Sequence, residues 1–406
     1  MQVCYVFQDE YPWDIRVEKF TSSLADAGHQ VVILSRNRAG KPRQENLRPG
    51  VEVHRLPIGW TRIDRDLMNF PAFFSPWWIR AIARTVRQQN SDVIMVRDLP
   101  LTAAAVWAGR TTGRPVVLDM AENYPAMIQA TWDLFGPQPW DYLLRNPSWL
   151  RRLERWILPK LDGIFAVSEP SRLRVIGLTN GGVPAWTVEN TPRLDLVYEP
   201  VRGEVTEQIA RHQGLKLLYV GNMDGKRGLD IVVRALPGLR EIDPDVLVIL
   251  VGKGVMEPQL RKLAAELGVE RNLLLPGWVD QKEVPSLIGE ADICLIPHLL
   301  TEHTDTTIPN KIYDYMAQGK AVLVTQCRTL RQIVEGARCG RVYHDTDPSQ
   351  LVQAVRGLTD ANTREALGAA GRRAVTERFH WERDAATMLA ALATVTDTFN
   401  VRHARS

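Results

Sequence analysis

The feature that most constrains this chain is an alternation of short apolar runs with longer helical patterns, and the alternation occurs twice. The first series is QVCYVF, QVVILS, VEVHRLP, DVIMVR, PVVLDMA, GIFAVS and AWTVEN, and the second is LKLLYVG, VLVILVG, NLLLPGW, ADICLIP, KAVLVT and GRVYH. Continuous runs rich in Val, Ile and Leu are typical of strands buried on both faces of a parallel sheet, with crossover helices between them. The pattern therefore predicts an α/β protein with two doubly wound, Rossmann-like domains facing a central cleft.

Composition narrows the class of protein. The chain has 406 residues, 45% of them hydrophobic, and a formal net charge of +3, so it is neither fibrous nor disordered and carries no basic excess for nucleic acid. Its four cysteines form no CxxC pair and are interpreted as reduced core residues. No apolar run is long enough to span a membrane, and no basic leader precedes one. We expect a cytoplasmic protein, either free or in peripheral contact with the inner membrane face.

Ligands of such sheets bind outside the carboxyl ends of the strands. One segment at such an end, YVGNMDGKRGLD, combines Gly221 with Lys226 and Arg227 before an amphipathic helix. Glycine lets backbone amides approach an anion, and the cations can neutralise phosphate. The segment is not a Walker loop, and its spacing also fits an ordinary turn with solvated basic residues.

A second segment, TEHTDTTIPNKIYDYMAQGKAVLVT, predicts a helix with polar residues at its start. Lys311 and Asp314 are three residues apart and share one side of that helix. The lysine could contact phosphate, and the carboxylate could accept hydrogen bonds from ribose hydroxyls. The alternative is a surface ion pair without a ligand.

The first half places charged residues after three predicted strands of one sheet. These are Asp14 and Arg16 in YPWDIRVEK, Asp98 in RDLP, and Asp119 and Glu122 in DMAENYP. Residues at one sheet edge could position an acceptor hydroxyl or act on its proton. Each could instead be a helix cap or part of a salt bridge.

With these segments in order, the chain resembles the GT-B glycosyltransferases, and within them the retaining enzymes of family 4, over nearly its whole length. The matching segments are YPWDIRVEKFTSSLADAGHQVVIL, DMAENYP, FAVSE, YVGNMDGKRGLD, LVGKG, LLLPGWV, ADICLIP, PNKIYDYMAQGKAVL and FHWERDAATMLAAL. The resemblance implies an acceptor domain at residues 1–197, a nucleotide-sugar donor domain at 198–381, and a C-terminal helix at about 382–406 that packs back on the first domain.

The resemblance also implies roles for particular residues. Arg227, with Lys226 as the alternative, would bind the diphosphate in place of a metal ion, and Asp314 would hold the ribose. Arg227, Lys311 and Glu122 are expected to act in catalysis. The expected donor-binding set is Gly221, Asn222, Lys226, Arg227, Gly252, Thr306, Thr307, Asn310, Lys311 and Asp314. The expected acceptor-side set is Asp14, Arg16, Asp98 and Asn123. No cofactor or metal is expected.

The chain departs from the family at three points. Asn222 stands where many relatives have a second phosphate-binding cation, an arginine. Thr306 stands where the family has the first glutamate of its Glu, seven residues, Glu pattern, so Glu302, Asp305 or Thr307 could take over that task. Ala121 replaces a histidine found in many relatives, which leaves Glu122 and Asn123 as candidates on that wall.

The function expected is transfer of a sugar, with retention, from a nucleotide-diphosphate donor to a glycan, lipid-linked saccharide or small molecule. The alternatives are a GT-B sugar-nucleotide epimerase and a weakly active nucleotide-sugar binding protein. Two aromatic segments, one from Trp60 to Trp78 and one containing Trp132, Trp140, Trp149 and Trp156, suit core packing, sugar stacking or a membrane surface. For Trp149 and Trp156 the helical spacing favours core packing.

Overall fold

The structure, a computed structural model, describes residues 1–403 apart from 13, 58–60, 64–67, 69, 71–72, 140 and 195–200. Trp60 and Trp140 of the aromatic segments lie outside the described residues. The chain divides into two compact units. The first comprises Met1–Gln129, Pro137–Asn190 and Arg383–Ser406, and the second comprises Ala130–Gly136 and Thr191–Glu382.

The first unit is built on a sheet whose described strands run in the order β3-β4-β2-β1-β5-β6-β7-β8. The strands are β1 Gln2–Val6, β2 Gln30–Ser35, β3 Gln44–Arg48, β4 Val51–Arg55, β5 Val93–Arg97, β6 Val116–Met120, β7 Gly163–Ala166 and β8 Ala185–Thr187. Neighbouring strands pair in parallel, except that β3 pairs antiparallel with β4. The seven strands predicted from the first series of apolar runs are all present.

The edge strand β3 was not predicted, and its sequence explains why. QENLR has no apolar alternation, and all five residues are exposed or half-exposed. A polar strand at a sheet edge is held by backbone hydrogen bonds to its one neighbour rather than by side-chain burial. Such a strand leaves little trace in the hydrophobic pattern.

The second unit contains a parallel sheet with the described strand order β11-β10-β9-β12-β13-β14. Its strands are β9 Lys216–Val220, β10 Leu247–Val251, β11 Leu273–Gly277, β12 Ile293–Ile296, β13 Ala321–Thr325 and β14 Gly340–Tyr343. Strand β10 is buried along its whole length, as expected for a strand covered on both faces. The prediction of two doubly wound α/β domains is confirmed.

Helices connect the strands in both units. In the first unit they are α1 Ile15–Asp26, α2 Pro76–Gln88, α3 Thr102–Thr112, α4 Tyr124–Phe135, α5 Asp141–Leu144, α6 Pro147–Ile157 and α7 Glu169–Leu178, with α4 ending in the segment counted with the second unit. In the second unit they are α8 Glu204–Ala210, α9 Leu229–Arg240, α10 Glu257–Glu266, α11 Val284–Glu290, α12 Lys311–Ala317, α13 Arg328–Ala337, α14 Pro348–Arg356 and α15 Ala361–Glu377. The last helix, α16 Trp381–His403, belongs to the first unit from Arg383 onward.

Local sequence sets the start of several helices. Asp14 caps α1 by accepting hydrogen bonds from the amides of Arg16 and Val17, and Asn146 caps α6 in the same way. A side-chain oxygen at this position satisfies amides that have no partner within the helix. Proline follows directly at the start of α6, where its missing N–H costs nothing.

Helix α6 corrects one prediction about packing. Leu150, Leu153 and Ile157 form its buried face, whereas Trp149 and Trp156 lie beside that face and are exposed. Three aliphatic side chains at helical spacing already fill the buried face, so the two indole rings are left outside the core.

The four cysteines, Cys4, Cys294, Cys327 and Cys339, are buried and free, as expected of core residues. Burial raises the pKa of Cys4 to about 12, so this thiol stays protonated. Within the described residues, no helix combines the length and the apolar character needed to cross a bilayer.

Candidate active site

In the second unit, backbone segments following β9 and β10 approach each other closely. Gly221 has φ of +146° and Gly252 has φ of +133°. A Cβ atom on Gly252 would lie 2.0 Å from the carbonyl oxygen of Gly221, and one on Gly254 would lie 2.2 Å from that of Met223. Glycine at these positions is therefore a steric requirement, because a side chain would force the two turns apart.

Lys311 extends from the first turn of α12 to this pair of turns. Its Nζ lies 3.9 Å from the centroid of the Tyr219 ring, and a Cβ on Gly221 would be 2.4 Å from the same nitrogen. Burial, and then the positive charge of Arg227, lower the pKa of Lys311 well below its usual range, against the opposing influence of Asp224 and Asp314. Across the described part of the chain, no carboxylate lies within ion-pairing distance of this amine.

Arg227, in the turn after β9, is held from two sides. Its Nη1 donates to Nε2 of His298 at 3.0 Å, and its Nε lies 3.4 Å from Oδ2 of Asp224. Asp224 also accepts from the amide of Lys226, so the carboxylate fixes both the turn and the guanidinium. Arg227 and Lys311 each act electrostatically on His298, which puts both cations in the same part of the site.

His298 was not singled out from the sequence. It is buried, and burial together with the charges of Arg227 and Lys311 lowers the pKa of His298 well below its usual range. The neutral ring is required here, because a nitrogen that accepts from arginine cannot itself carry a proton. A usable signal was present in ADICLIPH, where the histidine is the first polar residue after strand β12.

The structure distinguishes the two candidate phosphate cations. The Nζ of Lys226 donates to Oγ1 of Thr131 at 3.2 Å, while Arg227 faces His298. Asn222 is exposed and donates to Asp224 at 3.3 Å. Its backbone oxygen accepts from the hydroxyl of Tyr219, which ties the turn to β9.

The start of α12 presents two further predicted residues, Asn310 and Asp314, and both are exposed. Asn310 occupies the capping position without a capping hydrogen bond from its side chain. Both side chains can therefore reach a ligand at the surface of the second unit.

Thr306 and Thr307, both expected among the donor-binding residues, use their hydroxyls within the protein. Thr306 is buried and its hydroxyl donates to backbone oxygens of Glu302 and His303, while that of Thr307 donates to His303 as well. Both hydroxyls stabilise the turn that leads to α12.

Among the residues expected to replace the missing glutamate, Asp305 is engaged elsewhere. It accepts from the amide of Arg328 at 2.7 Å and pairs with the guanidinium of the same residue. Glu302 is an exposed carboxylate on this turn, so it remains a candidate for that task.

In the first unit, charged residues at the ends of β5 and β6 and just after β1 and β5 form one network around Asp119, which lies within β6 rather than after it. Asp119 has no exposed surface, and its Oδ1 accepts from Nε of Arg16 at 2.8 Å. Its Oδ2 accepts from the hydroxyl of Tyr5 at 2.6 Å. Burial, and then the charge of Asp119, raise the pKa of Tyr5 above its usual range, so the phenol stays a donor.

Arg97, the first residue of the RDLP segment, joins this network to the surface. Its Nη2 donates to Oδ2 of Asp14 at 3.1 Å, and Asp98 and Asp119 lie within 3.7 Å. Burial by itself would lower the pKa of Arg97. The negative charges of Asp98, Asp119 and Asp14 outweigh this effect and raise the pKa of the guanidinium above its usual range.

Asp98 adopts φ of 55° and ψ of 173°, a backbone conformation that residues other than glycine rarely adopt. Its Oδ1 accepts from the amides of Ala121 and Glu122, so the strained residue fixes the backbone that carries Glu122. Burial raises the pKa of Asp98 to about 6, although Arg97 acts in the opposite direction. Glu122 itself is half-exposed.

The raised pKa of Asp98 gives a pH-dependent prediction. Because the folded value of about 6 lies above the ordinary 3.8, the contribution of this group to stability is fully present below pH 3.8 and is lost as pH rises through about 6. Asp98→Asn keeps the acceptor oxygen without the charge. Relative to wild type, we expect its stability to improve from pH 4 to pH 7, by at most about 3 kcal/mol. Urea unfolding of both proteins across this range measures the difference; parallel curves would contradict the prediction.

Three of the four expected acceptor-side residues, Arg16, Asp98 and Asn123, are buried, contrary to the expectation that they face an acceptor. Arg16 is 2% exposed and paired with Asp119, and Asn123 is 1% exposed with its Oδ1 near the amide of Ala126. Desolvated groups with partners inside the protein serve to hold the loops. Asp14 and Glu122 are half-exposed carboxylates of this edge.

The two halves match known family profiles. Residues 15–192 match the glycosyl transferase 4-like domain, and residues 214–361 match the glycosyl transferases group 1 domain. Glycogen synthase of Mycobacterium tuberculosis is 23% identical over 392 residues, covering 90% of this chain and 87% of its own.

Solved structures share the fold over nearly the whole chain. Sucrose-phosphate synthase from Thermosynechococcus elongatus superposes with a TM-score of 0.75 at 17% identity, covering 98% of this chain and 99% of its own. Anabaena HepE, solved in complex with UDP, gives a TM-score of 0.71 at 14% identity, covering 97% of this chain and 100% of its own.

Two α/β units with these profile matches define the class: the chain is a glycosyltransferase of the GT-B type. It is an enzyme of the hexosyltransferase kind, as the sequence resemblance implied.

Proposed function

We propose that the enzyme transfers a hexosyl group from a nucleoside-diphosphate sugar bound by the second unit to a saccharide acceptor, with retention of configuration. The observation that carries the proposal is Lys311, a partly buried amine with no described carboxylate partner beside the Gly221 turn. A desolvated cation without a counter-ion is unfavourable unless a ligand supplies the negative charge. The second cation, Arg227, supports a ligand with a dispersed charge of more than one, such as a diphosphate.

The geometry suits cleavage of the sugar–phosphate bond. As the bond breaks, negative charge grows on the diphosphate and positive charge on the sugar ring. Arg227, oriented by His298 and Asp224, and Lys311 are positioned before the reaction, so they stabilise the leaving group without reorganising. Asp314 is assigned to the ribose hydroxyls.

On the acceptor side, Glu122 is assigned to the reacting sugar or acceptor hydroxyl. Its backbone is fixed by Asp98, and its side chain is half-exposed. Retention rests on the resemblance to the family, and NMR of the first-formed product reads the anomeric configuration directly. An inverted product would overturn that part of the proposal.

The donor is identified by a thermal-shift screen against UDP, GDP, ADP and dTDP sugars. A donor at 100 times its dissociation constant should stabilise the protein by about 2.7 kcal/mol. The UDP complex of Anabaena HepE supports testing UDP sugars first. We expect a shift with one base, and absence of a shift with every donor would contradict the assigned site.

A glycine pair provides the control for this screen. In Gly221→Ala the new Cβ would displace the Lys311 amine, so the shift should disappear. Gly268 also has a positive φ, of +64°, but a Cβ there meets nothing within 4 Å. Gly268→Ala adds its methyl without a clash, and the left-handed φ of Gly268 strains alanine less than the φ of +146° at Gly221, so this variant should retain the donor shift. Equal shifts in both variants would place the donor elsewhere.

A further inference from the structure

Three helical elements of the first unit combine exposed aromatic rings with an unusual excess of positive charge. Helices α2, α3 and α6 with the short turn Leu158–Lys160 carry eight basic residues: Arg80, Arg84, Arg87, Arg110, Arg151, Arg152, Arg155 and Lys160. Their one acidic residue, Glu154, is buried and paired with Arg174 at 2.8 Å. The whole chain has 50 basic and 47 acidic residues, so the rest of the chain is net acidic.

Aromatic and basic side chains of these elements, with Phe74 just before α2, define what we call the basic aromatic face: Phe74, Trp107, Arg110, Trp149, Arg152, Trp156 and Lys160. The ring of Phe74 packs on Trp156 at 5.9 Å, and the Nζ of Lys160 lies 4.0 Å from the centroid of the Trp156 ring. Helix α3, which carries Trp107 and Arg110, packs against α2. Burial, and then the charge of Arg110, lower the pKa of Lys160.

The aromatic rings on this face are not core residues. Trp107 is 54% exposed, Trp149 41% and Trp156 47%. Trp149, Arg152 and Trp156 recur at i, i+3 and i+7 and therefore share one side of α6, which lies beside its buried aliphatic face. Indole rings flanked by arginines along one helix side are typical of a helix lying in the plane of a membrane interface.

We infer that the basic aromatic face binds the surface of an anionic phospholipid bilayer, with the indole rings among the headgroups and the arginines near their phosphates. Charge complementarity selects this occupant, because the face carries the exposed cations Arg110 and Arg152, while the one acidic side chain of these helices, Glu154, is buried and paired. The inference rests on the proposed function in one respect only: a membrane surface would suit an acceptor carried on a lipid.

Vesicle co-sedimentation of the full chain tests the inference. We expect binding to phosphatidylcholine vesicles that contain phosphatidylglycerol, weak binding to phosphatidylcholine alone, and release by salt because exposed charges are screened. Arg110→Gln with Arg152→Gln should weaken binding about fivefold for each charge removed. Trp149→Ala with Trp156→Ala should abolish the part of the vesicle binding that persists at high salt.

The matched control replaces an exposed tryptophan and an exposed arginine of the second unit, Trp278→Ala with Arg373→Gln, and should bind vesicles like wild type. The inference is overturned if wild type does not bind anionic vesicles, if the control loses as much binding as the face variants, or if only a soluble acidic polysaccharide binds. Donor-induced thermal shifts should be unchanged in every face variant, so failure here is distinguishable from failure of the donor site.

Discussion

Replacing Lys311 by methionine is expected to lower the rate of donor turnover by about 10²–10³-fold, equivalent to about 2.7–4 kcal/mol of transition-state stabilisation. The amine stands beside the Gly221 turn, where charge would develop on the leaving diphosphate. Methionine fills similar space without the charge. The rate is measured as release of nucleoside diphosphate from the sugar donor that gives the largest thermal shift.

Stability separates this role from a structural one. Burial lowers the pKa of Lys311, so the folded protein bears a cost for keeping the amine charged. Lys311→Met should therefore be as stable as wild type or more so, while losing activity. Lys262→Met, at an exposed lysine paired with Glu266, should change neither property. A Lys311→Met enzyme with nearly wild-type turnover would remove this residue from the mechanism.

The same lowered pKa sets the pH dependence of ligand binding. A diphosphate favours the charged amine, so binding should draw a proton onto Lys311, and affinity should fall as pH rises through its folded pKa. Calorimetric titration with UDP in buffers of different ionisation enthalpy measures the proton uptake. The uptake should be absent in Lys311→Met.

The second large effect is expected in the first unit, where Asp119→Ala should cost about 3–5 kcal/mol of unfolding free energy. Removing this carboxylate leaves the guanidinium of Arg16 buried without its partner and takes an acceptor from Tyr5. Arg97 also loses a neighbouring negative charge. Urea unfolding monitored by circular dichroism measures the loss.

Two further variants make this prediction specific. Asp26→Ala removes an exposed partner of Arg48 and should cost no more than about 1 kcal/mol. Adding Arg16→Met to Asp119→Ala should recover part of the loss, because an apolar side chain replaces the stranded charge. Equal costs for Asp119→Ala and Asp26→Ala would show that the buried network does not stabilise this unit.

Most strands of both sheets could be predicted, because strands buried on two faces have uninterrupted apolar sequences. The ends of these strands could be predicted in the same way, and with them Gly221, Arg227 and Lys311. Strand β3 could not be predicted, because its polar residues QENLR are held by backbone hydrogen bonds to one neighbour. Trp149 and Trp156 were wrongly expected in the core, because their helical spacing suited a buried face that Leu150, Leu153 and Ile157 already fill.

Residue type and spacing by themselves thus determined the fold class, the edge of each sheet that carries charged residues, and, through resemblance, the kind of enzyme. The tertiary structure alone decided which of those residues are structural and which are accessible. Arg16 and Thr306 are buried and satisfied, whereas Lys311 lacks a described carboxylate partner. It also brought His298 to Arg227, 71 positions apart in the chain. Burial and pairing of these side chains depend on desolvation and on contacts between segments far apart in the chain, which the local sequence does not reveal.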